Sequence, residues 1–467
     1  MAEAAESTDA SQTLTFYPFA YALLDDCLSG EFCWFCLKRA AAPTTGGSAT
    51  LRRCAGCHTA WFCGQNCQQL GWFDHKPECK ALKNLSAGSC VPCVEVRHLG
   101  RLASRYKLIQ DGKDTPKDKF YYNRTSRRHV MQLWSHAEQI RNDAAAVKKF
   151  EHIHAQLATF YSPKDLPDKE TVYQLHCRNY INRHAISDVE YMREIGKGLY
   201  LDLCQYDHSC RPNTIYTCNG VIATLRPLTT SINIRDHATT FYSYIDLLNS
   251  KQQRRKLLKD TWYFHCECAR CSDDCEHVLS SLACEHCAQP VILFGEQSNR
   301  DETAAAFVCA HCARPQHGDR VTAAVLAMRR IDTLVQNDTI EQHEQPVEFV
   351  TELLENYGRL LPPVNVYYAR LVQAAIRHTT PTDSGALFCL HESAVQCLRV
   401  CYPCNHPAIA YHLMNCGTLA ERCGRIETAR EYLSESLAML TFSLGGDHSL
   451  TRKAHAELQS LSDSALG

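Results

Sequence analysis

The sequence lacks the features that direct a chain to a membrane or to nucleic acid. Its 467 residues contain no apolar run of about 18 residues, the length that predicts a membrane-spanning helix. The N-terminus, MAEAAESTDASQTL, lacks the basic flank and apolar core of a signal peptide. The net charge is only −2 with histidine neutral, so no broad basic surface favours nucleic-acid binding. We therefore expect no membrane span and see no strong case for direct contact with nucleic acid.

Cysteine is the residue type that the chain has in excess, with 28 among 467 residues. Secreted domains use many cysteines in disulfide bonds, but such chains are usually short. Here many cysteines form Cys-x2-Cys pairs with histidine nearby, a spacing that suits tetrahedral zinc and that disulfide bonding does not favour. We therefore prefer zinc binding in a reducing compartment, and a disulfide framework is the alternative.

Residues 31–82 hold the first group of potential ligands, interrupted by a loop of small residues at 40–50. The eight candidates are Cys33, Cys36, Cys54, Cys57, Cys63, Cys67, His75 and Cys79. Eight ligands satisfy two four-coordinate zinc ions and leave no open position, which is typical of structural zinc. Because a module of about 45 residues buries little core, we expect the metal to supply its folding energy.

The spacing and the run WFCGQNCQQLGWFDHKPEC, residues 61–79, resemble the MYND zinc finger. The resemblance implies two interleaved sites, one with Cys33, Cys36, Cys63 and Cys67, the other with Cys54, Cys57, His75 and Cys79. It also implies binding of proline-rich peptides, or a role in chromatin and transcription complexes. Trp72 is then a candidate for an aromatic peptide groove, although we favour a place for it in the core of the finger.

A second group combines a distant cysteine with a tight cluster downstream. The run YFHCECARC, residues 263–271, supplies Cys266, Cys268 and Cys271, which leave a tetrahedral zinc one ligand short. Cys210, in QYDHSCRPNTIY at 205–216, is the expected fourth ligand, and such a site would hold the two segments together. Between them we predict a strand with Tyr242 and Tyr244 on one face.

This order of segments resembles the SET domain of protein-lysine methyltransferases, specifically the SET and MYND domain (Smyd) family. The matches are DHSCRPN at 207–213, where the family has Asn-His-Ser-Cys-x-Pro-Asn, then YID at 244–246 and the Cys-x-Cys-x2-Cys run, with GKGLY at 196–200 upstream. From about residue 15 onward, the resemblance implies S-adenosylmethionine as cofactor and Tyr244 as the catalytic residue. The implied cofactor contacts are His136, Asn182, Asp207, His208 and Phe264.

The expected chemistry suits a tyrosine. Methyl transfer to lysine is an in-line displacement at a sulfonium methyl, which requires an uncharged, aligned amine in a dry channel. The Tyr244 hydroxyl can orient that amine and favour the transition state electrostatically. Two assignments have simpler alternatives: Tyr244 as a buried strand tyrosine with a satisfied hydroxyl, and His136 as a histidine on a helix surface.

Three departures from the family pattern bear on catalysis. No Gly-x-Gly-bearing strand precedes LTFYPFAYALL at 14–24, so either this sequence is a truncated isoform or the loop that brings backbone close to the cofactor is lost. Asp207 replaces an asparagine, which would strengthen a bond to the cofactor's ammonium or repel its carboxylate. His184 replaces a phenylalanine of the lysine channel, and SINIRDHATTF at 231–241 lacks the usual Gly-Glu-Glu turn.

A four-cysteine zinc-ribbon signature follows the SET-like region. Its members are Cys284, Cys287, Cys309 and Cys312. The sequence thus predicts about four structural zinc ions: two in the finger, one at Cys210 and one in the ribbon.

The remainder, from residue 319, has a helical pattern. Residues 406–450 resemble a tetratricopeptide-type repeat, in which Gly417, Ala420 and Ala429 would allow close helix approach. Smyd proteins end in a similar domain, which implies a role in shaping the substrate cleft and in binding chaperone tails. A generic helical bundle is the alternative.

The predicted fold class is α+β: a β-rich SET-type domain split by a MYND finger, a zinc-rich post-SET region and an all-α tetratricopeptide-like domain. The predicted segments are 1–30 (tail and partial SET strand), 31–82 (MYND), 83–265 (SET with helical insertion), 266–318 (post-SET and ribbon) and 319–467 (helical). The predicted function is S-adenosylmethionine-dependent methylation of histone or other protein lysines, in nucleus and cytoplasm. A non-catalytic zinc-finger adaptor in chromatin or chaperone complexes is the alternative.

Overall fold

The computed structural model describes residues 13–28, 30–40, 51–85, 90–113, 128–190, 192–293 and 307–464. The start of the predicted N-terminal tail and the predicted loop from residue 41 to 50 lie outside these residues. The described α-helices are α1 Gln65–Leu70, α2 Trp72–Lys83, α3 Val94–Gln110, α4 Ala137–Asn142, α5 Ala144–Phe160, α6 Lys169–Asn182, α7 Lys251–Trp262, α8 Ala269–Ser272, α9 Gly318–Gln336, α10 Pro346–Tyr357, α11 Val366–His378, α12 Ser384–Cys401, α13 Pro407–Arg422, α14 Ile426–Leu444 and α15 Ser449–Ser464. The described β-strands are β1 Leu14–Phe16, β2 Ala20–Leu23, β3 Arg52–Arg53, β4 Trp61–Phe62, β5 His184–Ser187, β6 Glu194–Leu199, β7 Asp207–His208, β8 Thr214–Asn219, β9 Ile222–Pro227, β10 Phe241–Tyr242, β11 Leu282–Ala283, β12 Pro290–Val291, β13 Phe307–Val308 and β14 Pro315–Gln316.

Two small sheets join the N-terminal strands to strands more than 170 residues later. One has the order β1-β9-β8 and the other β2-β6-β5, with all neighbours antiparallel. The strands β2 and β6 lie so close at Gly196 that a Cβ there would be 2.7 Å from the carbonyl oxygen of Ala22. The zinc finger is therefore an insertion within one β-rich domain, which confirms the predicted α+β class with a split SET-type domain.

Helix α3 covers the free edge of β2 with a ladder of three buried arginines, Arg97, Arg101 and Arg105. Arg97 donates to the carbonyl of Leu23 at 2.8 Å and Arg101 to that of Tyr21 at 2.9 Å. Arg105 donates to Phe19, and the spacing of four residues puts all three arginines on one face of the helix. Guanidinium groups thus satisfy backbone carbonyls along the edge strand of this sheet.

The same ladder connects β2 to the zinc finger. Arg101 contacts Glu78 on α2 at 2.6 Å, and Arg105 contacts Asp74 one turn earlier at 3.1 Å. Glu78 is fully buried. Because a buried carboxylate needs a charged partner, this ion pair fixes the position of the finger on the β-rich domain.

Trp72 opens α2 at the surface of the finger. Its side chain is 42% exposed, and its ring lies 6.0 Å from that of His75. Our preference for a core position was therefore wrong. The core of the finger contains Trp34 and Phe62 instead, both of which are almost fully buried.

The C-terminal region is helical, as predicted, and from α10 onward each helix packs against the next one in the chain. Gly417 of α13 allows the closest approach, since a Cβ there would lie 2.6 Å from Cγ of Leu433 on α14. The region is joined to the SET-type domain by Arg226 of β9, whose Nε donates to the carbonyl of Ser443 at 3.0 Å. Within the described ranges, no helix is long and apolar enough to cross a membrane.

The predicted strand through Tyr242 and Tyr244 is shorter than expected. Strand β10 ends at Tyr242. The backbone N–H of Tyr244 donates to a histidine ring, Nδ1 of His208, at 3.0 Å instead of to a neighbouring strand. The two tyrosine rings still lie close, with centroids 5.1 Å apart.

We predict that Arg101→Met lowers the free energy of unfolding by about 3–5 kcal/mol, because it leaves the Glu78 charge buried and unpaired. Urea denaturation followed by tryptophan fluorescence measures the change. The control is Lys107→Met on the same helix, which loses only a partly exposed pair with Asp111 and should change stability by at most about 0.5 kcal/mol. Equal effects of the two substitutions would contradict the role of the ladder.

Candidate active site and metal centres

The structure brings together the four ligand sets expected from the sequence. They are Cys33, Cys36, Cys63 and Cys67; Cys54, Cys57, His75 and Cys79; Cys210, Cys266, Cys268 and Cys271; and Cys284, Cys287, Cys309 and Cys312. Within each set the donor atoms lie within 4.8 Å of one another. The Sγ atoms of Cys36 and Cys63 are 3.6 Å apart and those of Cys54 and Cys79 are 3.8 Å apart, close to the edge of about 3.8 Å in a tetrahedron of zinc–sulfur bonds. The donor chemistry and spacing support zinc binding.

A buried carboxylate supports the second finger set. Nδ1 of His75 lies 3.5 Å from Glu78, while Nε2 lies 3.6 Å from the Cys57 sulfur. Burial alone would raise the pKa of Glu78, but the charge of Arg101 and the contact with the His75 ring outweigh it and hold that pKa at about 2. A carboxylate behind a ligating histidine fixes the ring orientation, so the arginine ladder reaches the metal set through Glu78.

The third set joins two segments that are distant in sequence. The Cys210 sulfur lies 3.6 Å from that of Cys271 and 3.9 Å from that of Cys266. The backbone N–H of Cys210 donates to the Cys268 sulfur at 3.3 Å. The buried Arg254 guanidinium donates to the Cys271 sulfur at 3.7 Å. These N–H groups favour thiolates, the form that a metal requires.

The segment 207–213 is bonded tightly to the segment that contains β10. Strands β7 and β10 are parallel, with Asp207 opposite Phe241. Asn213 accepts from the backbone N–H of Phe241 at 2.8 Å and donates to the carbonyl of Thr239 at 2.7 Å. The backbone N–H of Ser209 donates to the Tyr242 carbonyl at 3.1 Å. Asn213 therefore has a structural role here, because it holds the two crossing segments in register.

His208 connects the metal set to Tyr244. Its Nδ1 accepts from the backbone N–H of Tyr244, so the ring proton lies on Nε2, which is 3.2 Å from the Cys210 sulfur. Burial lowers the pKa of His208 to about 4, so the ring is neutral. Since both ring nitrogens bond within the protein, His208 has its backbone and its ring faces left for the cofactor contact, which stays a prediction.

Tyr244 lies on the bend after β10, against the ring of His208 and that of Trp262. Its hydroxyl donates to the carbonyl of Tyr206 at 2.9 Å. Burial raises the pKa of the phenol above its ordinary value, so the hydroxyl stays protonated. A fixed, neutral phenol can present its oxygen as a hydrogen-bond acceptor to an approaching group.

A cavity of about 370 Å³ opens beside Tyr244. Its walls come from α5–α7, β5, β6, β8 and the segments around Cys204 and Tyr242. The lining residues are Lys149, Tyr180, Ile181, Asn182, Arg183, His184, Ala185, Glu194, Lys197, Cys204, Tyr216, Tyr242, Ser243, Tyr244, Thr261 and Trp262. The cavity thus combines an aromatic interior with charged groups, and it contains the predicted catalytic residue and one predicted cofactor contact, Asn182.

His184 lines this cavity as a buried, neutral base. Its Nε2 lies 2.7 Å from the hydroxyl of Tyr242, and burial lowers its pKa to about 4. The ring lies edge-on to the rings of Tyr200 and Tyr216. The substitution for phenylalanine therefore adds a polar pair, His184 and Tyr242, to an otherwise aromatic wall.

The other predicted cofactor contacts lie around the end of α7. Phe264 lies against His208 with ring centroids 6.2 Å apart, and His136 lies against Tyr263 at 5.9 Å. Asp207 is exposed at β7. His136 is not a helix-surface histidine, since it has a left-handed backbone with φ 47° immediately before α4.

Asn182, at the end of α6, uses its side-chain amide within the protein. Its Nδ2 donates to the carbonyls of Trp134 at 2.7 Å and Arg178 at 2.8 Å. The amide oxygen is therefore the group that remains for a ligand.

The sequence reading missed Trp262, which forms a wall of the cavity. Its Nε1 donates to the carbonyl of Ile181 at 2.9 Å. Tyr263 ends α7 with a left-handed backbone, φ 60°. The rings of Trp262, Tyr263 and Phe264 therefore point to different partners, which are Tyr244, His136 and His208 respectively. The run WYF before HCEC could have indicated this role in the sequence, because three adjacent aromatic side chains at a helix end must pack against three different neighbours.

We predict that Cys210→Ser lowers the zinc content of the purified protein by about one ion per chain, because three thiolates leave tetrahedral zinc short of a ligand. Cys287→Ser in the ribbon should separately lower the zinc content by about one ion per chain. Cys218→Ser, at a buried cysteine outside all four sets, is the control and should keep the zinc content of the unsubstituted protein. Elemental analysis measures each value, and an unchanged content in Cys210→Ser would remove the third site.

We predict that His184→Phe reduces the loss of folding stability that occurs as the pH falls. The folded pKa of about 4 lies below the ordinary histidine value, so the unfolded chain binds the extra proton and stability is lost as pH falls from about 6.5 towards 4. Between about pH 7.5 and 5.5 this residue accounts for about 1 kcal/mol. The variant also removes the hydrogen-bond partner of Tyr242, which changes stability at every pH. The readout is therefore the difference in unfolding free energy between the two pH values, in which that constant change cancels. An unchanged difference would contradict the buried neutral state.

Comparison with known proteins places this geometry in context. The MYND finger family model matches residues 33–79. Over 86% of this chain and 83% of the relative, the sequence is 24% identical to the histone-lysine N-methyltransferase SMYD3 of Homo sapiens. It is 30% identical to the N-lysine methyltransferase SMYD2-A of Danio rerio over 48% of each chain. It is 30% identical to SMYD2-A of Xenopus laevis over 54% of this chain and 53% of the relative.

These similarities agree with the architecture in three respects. The matched finger is inserted between β2 and β6 of one sheet. The segment from Asp207 crosses the segment of β10 beside a four-cysteine set. A helical region ends the described chain. The finger match, the relatives and this architecture together support a place in the SET and MYND domain family.

Proposed function

We propose that this protein is a protein-lysine N-methyltransferase that uses S-adenosylmethionine and acts on lysines of histones or other proteins. One observation carries the proposal: Tyr244 lines an aromatic cavity while its backbone is fixed, through His208, to the four-cysteine set that closes the SET-type domain. The relatives named as lysine methyltransferases cover most of the chain and support it.

The residues around the end of α7 fit the cofactor's chemistry. Bound S-adenosylmethionine would supply an electrophilic methyl group on a sulfonium. Phe264 and His136 offer ring surface for its adenine, and Asn182 offers an amide oxygen. The exposed Asp207 carboxylate suits the ammonium of the amino-acid moiety, because a charge-assisted bond is stronger than the bond from an asparagine. We favour this role for Asp207 over repulsion of a carboxylate.

The cavity residues prepare the lysine. The rings of Tyr216, Trp262 and Tyr244 keep water out of the cavity, which favours the uncharged amine that attack requires. The Tyr244 hydroxyl is anchored by donating to Tyr206 and can accept from the amine, so it orients the lone pair along the line of displacement.

The other proposals concern partners and location. The exposed Trp72 on the finger is a candidate contact for proline-rich peptides, and the helical domain is a candidate site for chaperone tails. We propose both nucleus and cytoplasm as compartments. The adaptor hypothesis is less favoured, because the relative that covers most of the chain is named as a methyltransferase and because Tyr244 and Asn182 line one cavity.

We predict that Tyr244→Phe lowers methyl transfer to a histone or other lysine-containing substrate by about 10²–10³-fold, as for loss of one preorganised polar contact at a reacting centre. S-adenosylmethionine binding, measured by calorimetry on zinc-replete protein, should be little changed. The matched control is Tyr173→Phe, whose hydroxyl likewise donates to a backbone carbonyl, that of Ala137 at 3.0 Å, but lies outside the cavity.

Two results would count against the proposal in different ways. An absence of S-adenosylmethionine binding in the unsubstituted protein would remove the enzyme hypothesis and leave the adaptor. Binding with methyl transfer that Tyr244→Phe leaves intact would remove Tyr244 as the catalytic residue and keep the activity.

A further inference from the structure

Three potential metal ligands meet inside the helical domain, away from the four sets described above. His391 lies on α12, and His412 and Cys416 lie one turn apart on the neighbouring helix α13. Their donor atoms lie within 4.8 Å of one another. All three side chains are buried, with exposures of 8%, 7% and 0%. Histidine is rarely placed in pairs inside a helical core, where leucine or alanine would pack without polar atoms.

The tautomer of His412 is fixed with a lone pair facing its neighbour. Its Nε2 lies 2.7 Å from the backbone carbonyl oxygen of His391, an acceptor, so Nε2 carries the proton. Nδ1 is then an unprotonated nitrogen, and it lies 3.4 Å from Nδ1 of His391. A histidine that donates its second ring N–H to a backbone carbonyl is the usual arrangement at a metal.

The distances suit a bridging ion better than a direct bond. The separation of 3.4 Å between the two Nδ1 atoms is longer than the usual 2.9–3.0 Å of an N–H hydrogen bond. Two nitrogens at about 2.0–2.1 Å from a tetrahedral ion are separated by about 3.4 Å.

We propose that His391, His412 and Cys416 form a metal-binding site between α12 and α13 for a thiophilic d¹⁰ cation, zinc(II) or copper(I). Two imidazoles and one thiolate are borderline and soft ligands, which suit these ions and disfavour magnesium or calcium. The ion would cross-link two helices in the domain that follows the ribbon. Burial raises the pKa of the Cys416 thiol, which would lose its proton when it binds the metal ion. This site does not depend on the proposed methyltransferase activity.

The competing interpretation is a plain buried hydrogen bond between the two histidines, with Cys416 as a small apolar residue. It predicts no metal. The two interpretations also differ in which substitutions matter, because a hydrogen bond between the imidazoles is indifferent to the sulfur of Cys416.

The test compares full-length proteins that retain their other zinc ions. The variants are Cys416→Ser and, in case the first does not fold, His391→Gln. The control is Cys397→Ser, another fully buried cysteine in the same helix layer, whose sulfur lies 3.9 Å from that of Cys401 and outside the proposed site. Circular dichroism verifies the fold, elemental analysis gives zinc per chain, and copper(I) titration against a competing chelator gives high-affinity copper equivalents.

We expect the unsubstituted protein and Cys397→Ser to bind one metal equivalent more than either site variant. A deficit of one in zinc identifies zinc(II) as the occupant. Equal zinc with a deficit of one high-affinity equivalent in the copper titration identifies copper(I). Folded site variants that match the unsubstituted protein in both measurements would overturn the proposal in favour of the hydrogen bond.

Discussion

The buried arginine ladder of α3 is the interaction on which the relation between finger and SET-type domain depends. Arg97, Arg101 and Arg105 satisfy backbone carbonyls along β2, while the last two also pair with Glu78 and Asp74 of the finger. An edge strand and a zinc module would otherwise present unpaired polar groups to each other. Because charges buried at such a junction tolerate little displacement, the finger is held as a rigid part of the domain.

A second group of buried arginines performs the same task on the other side of the site. Arg254 and Arg270 share Glu276, and Arg270 also donates to the carbonyls of Leu247 at 3.2 Å and Cys401 at 2.6 Å. The last bond reaches the end of α12 in the helical domain. The post-SET cysteine set is thus fixed both to the segment after Tyr244 and to the helical domain.

Ligand spacing was readable in the sequence because metal coordination imposes local rules. The Cys-x2-Cys pairs that begin at Cys33, Cys54 and Cys284 are recognisable in the sequence by their two-residue gap. Cys210 could be assigned as a ligand because the three cysteines of the 266–271 cluster leave a tetrahedral zinc one ligand short. The order of these ligand segments along the chain also indicated the fold class. The arginine ladder and the extent of β10 could not be predicted, because they depend on which distant carbonyls and rings face each other. Trp72 was misplaced for a similar reason, since an aromatic residue in a finger suits core and surface equally.

One side chain of the DHSC segment, that of His208, joins the third cysteine set to the cavity. Cys210 belongs to the metal set, and Tyr244 belongs to the cavity, yet the ring of His208 bonds to both. The backbone N–H of Tyr244 requires Nδ1 to be the acceptor, so the ring proton lies on Nε2 and faces the Cys210 sulfur. That tautomer in turn fixes the backbone of Tyr244, where β10 has ended and no strand partner can do so. The zinc ligand and the candidate catalytic residue are therefore parts of one hydrogen-bonded unit, and the position of the phenol depends on a site that takes no part in the chemistry.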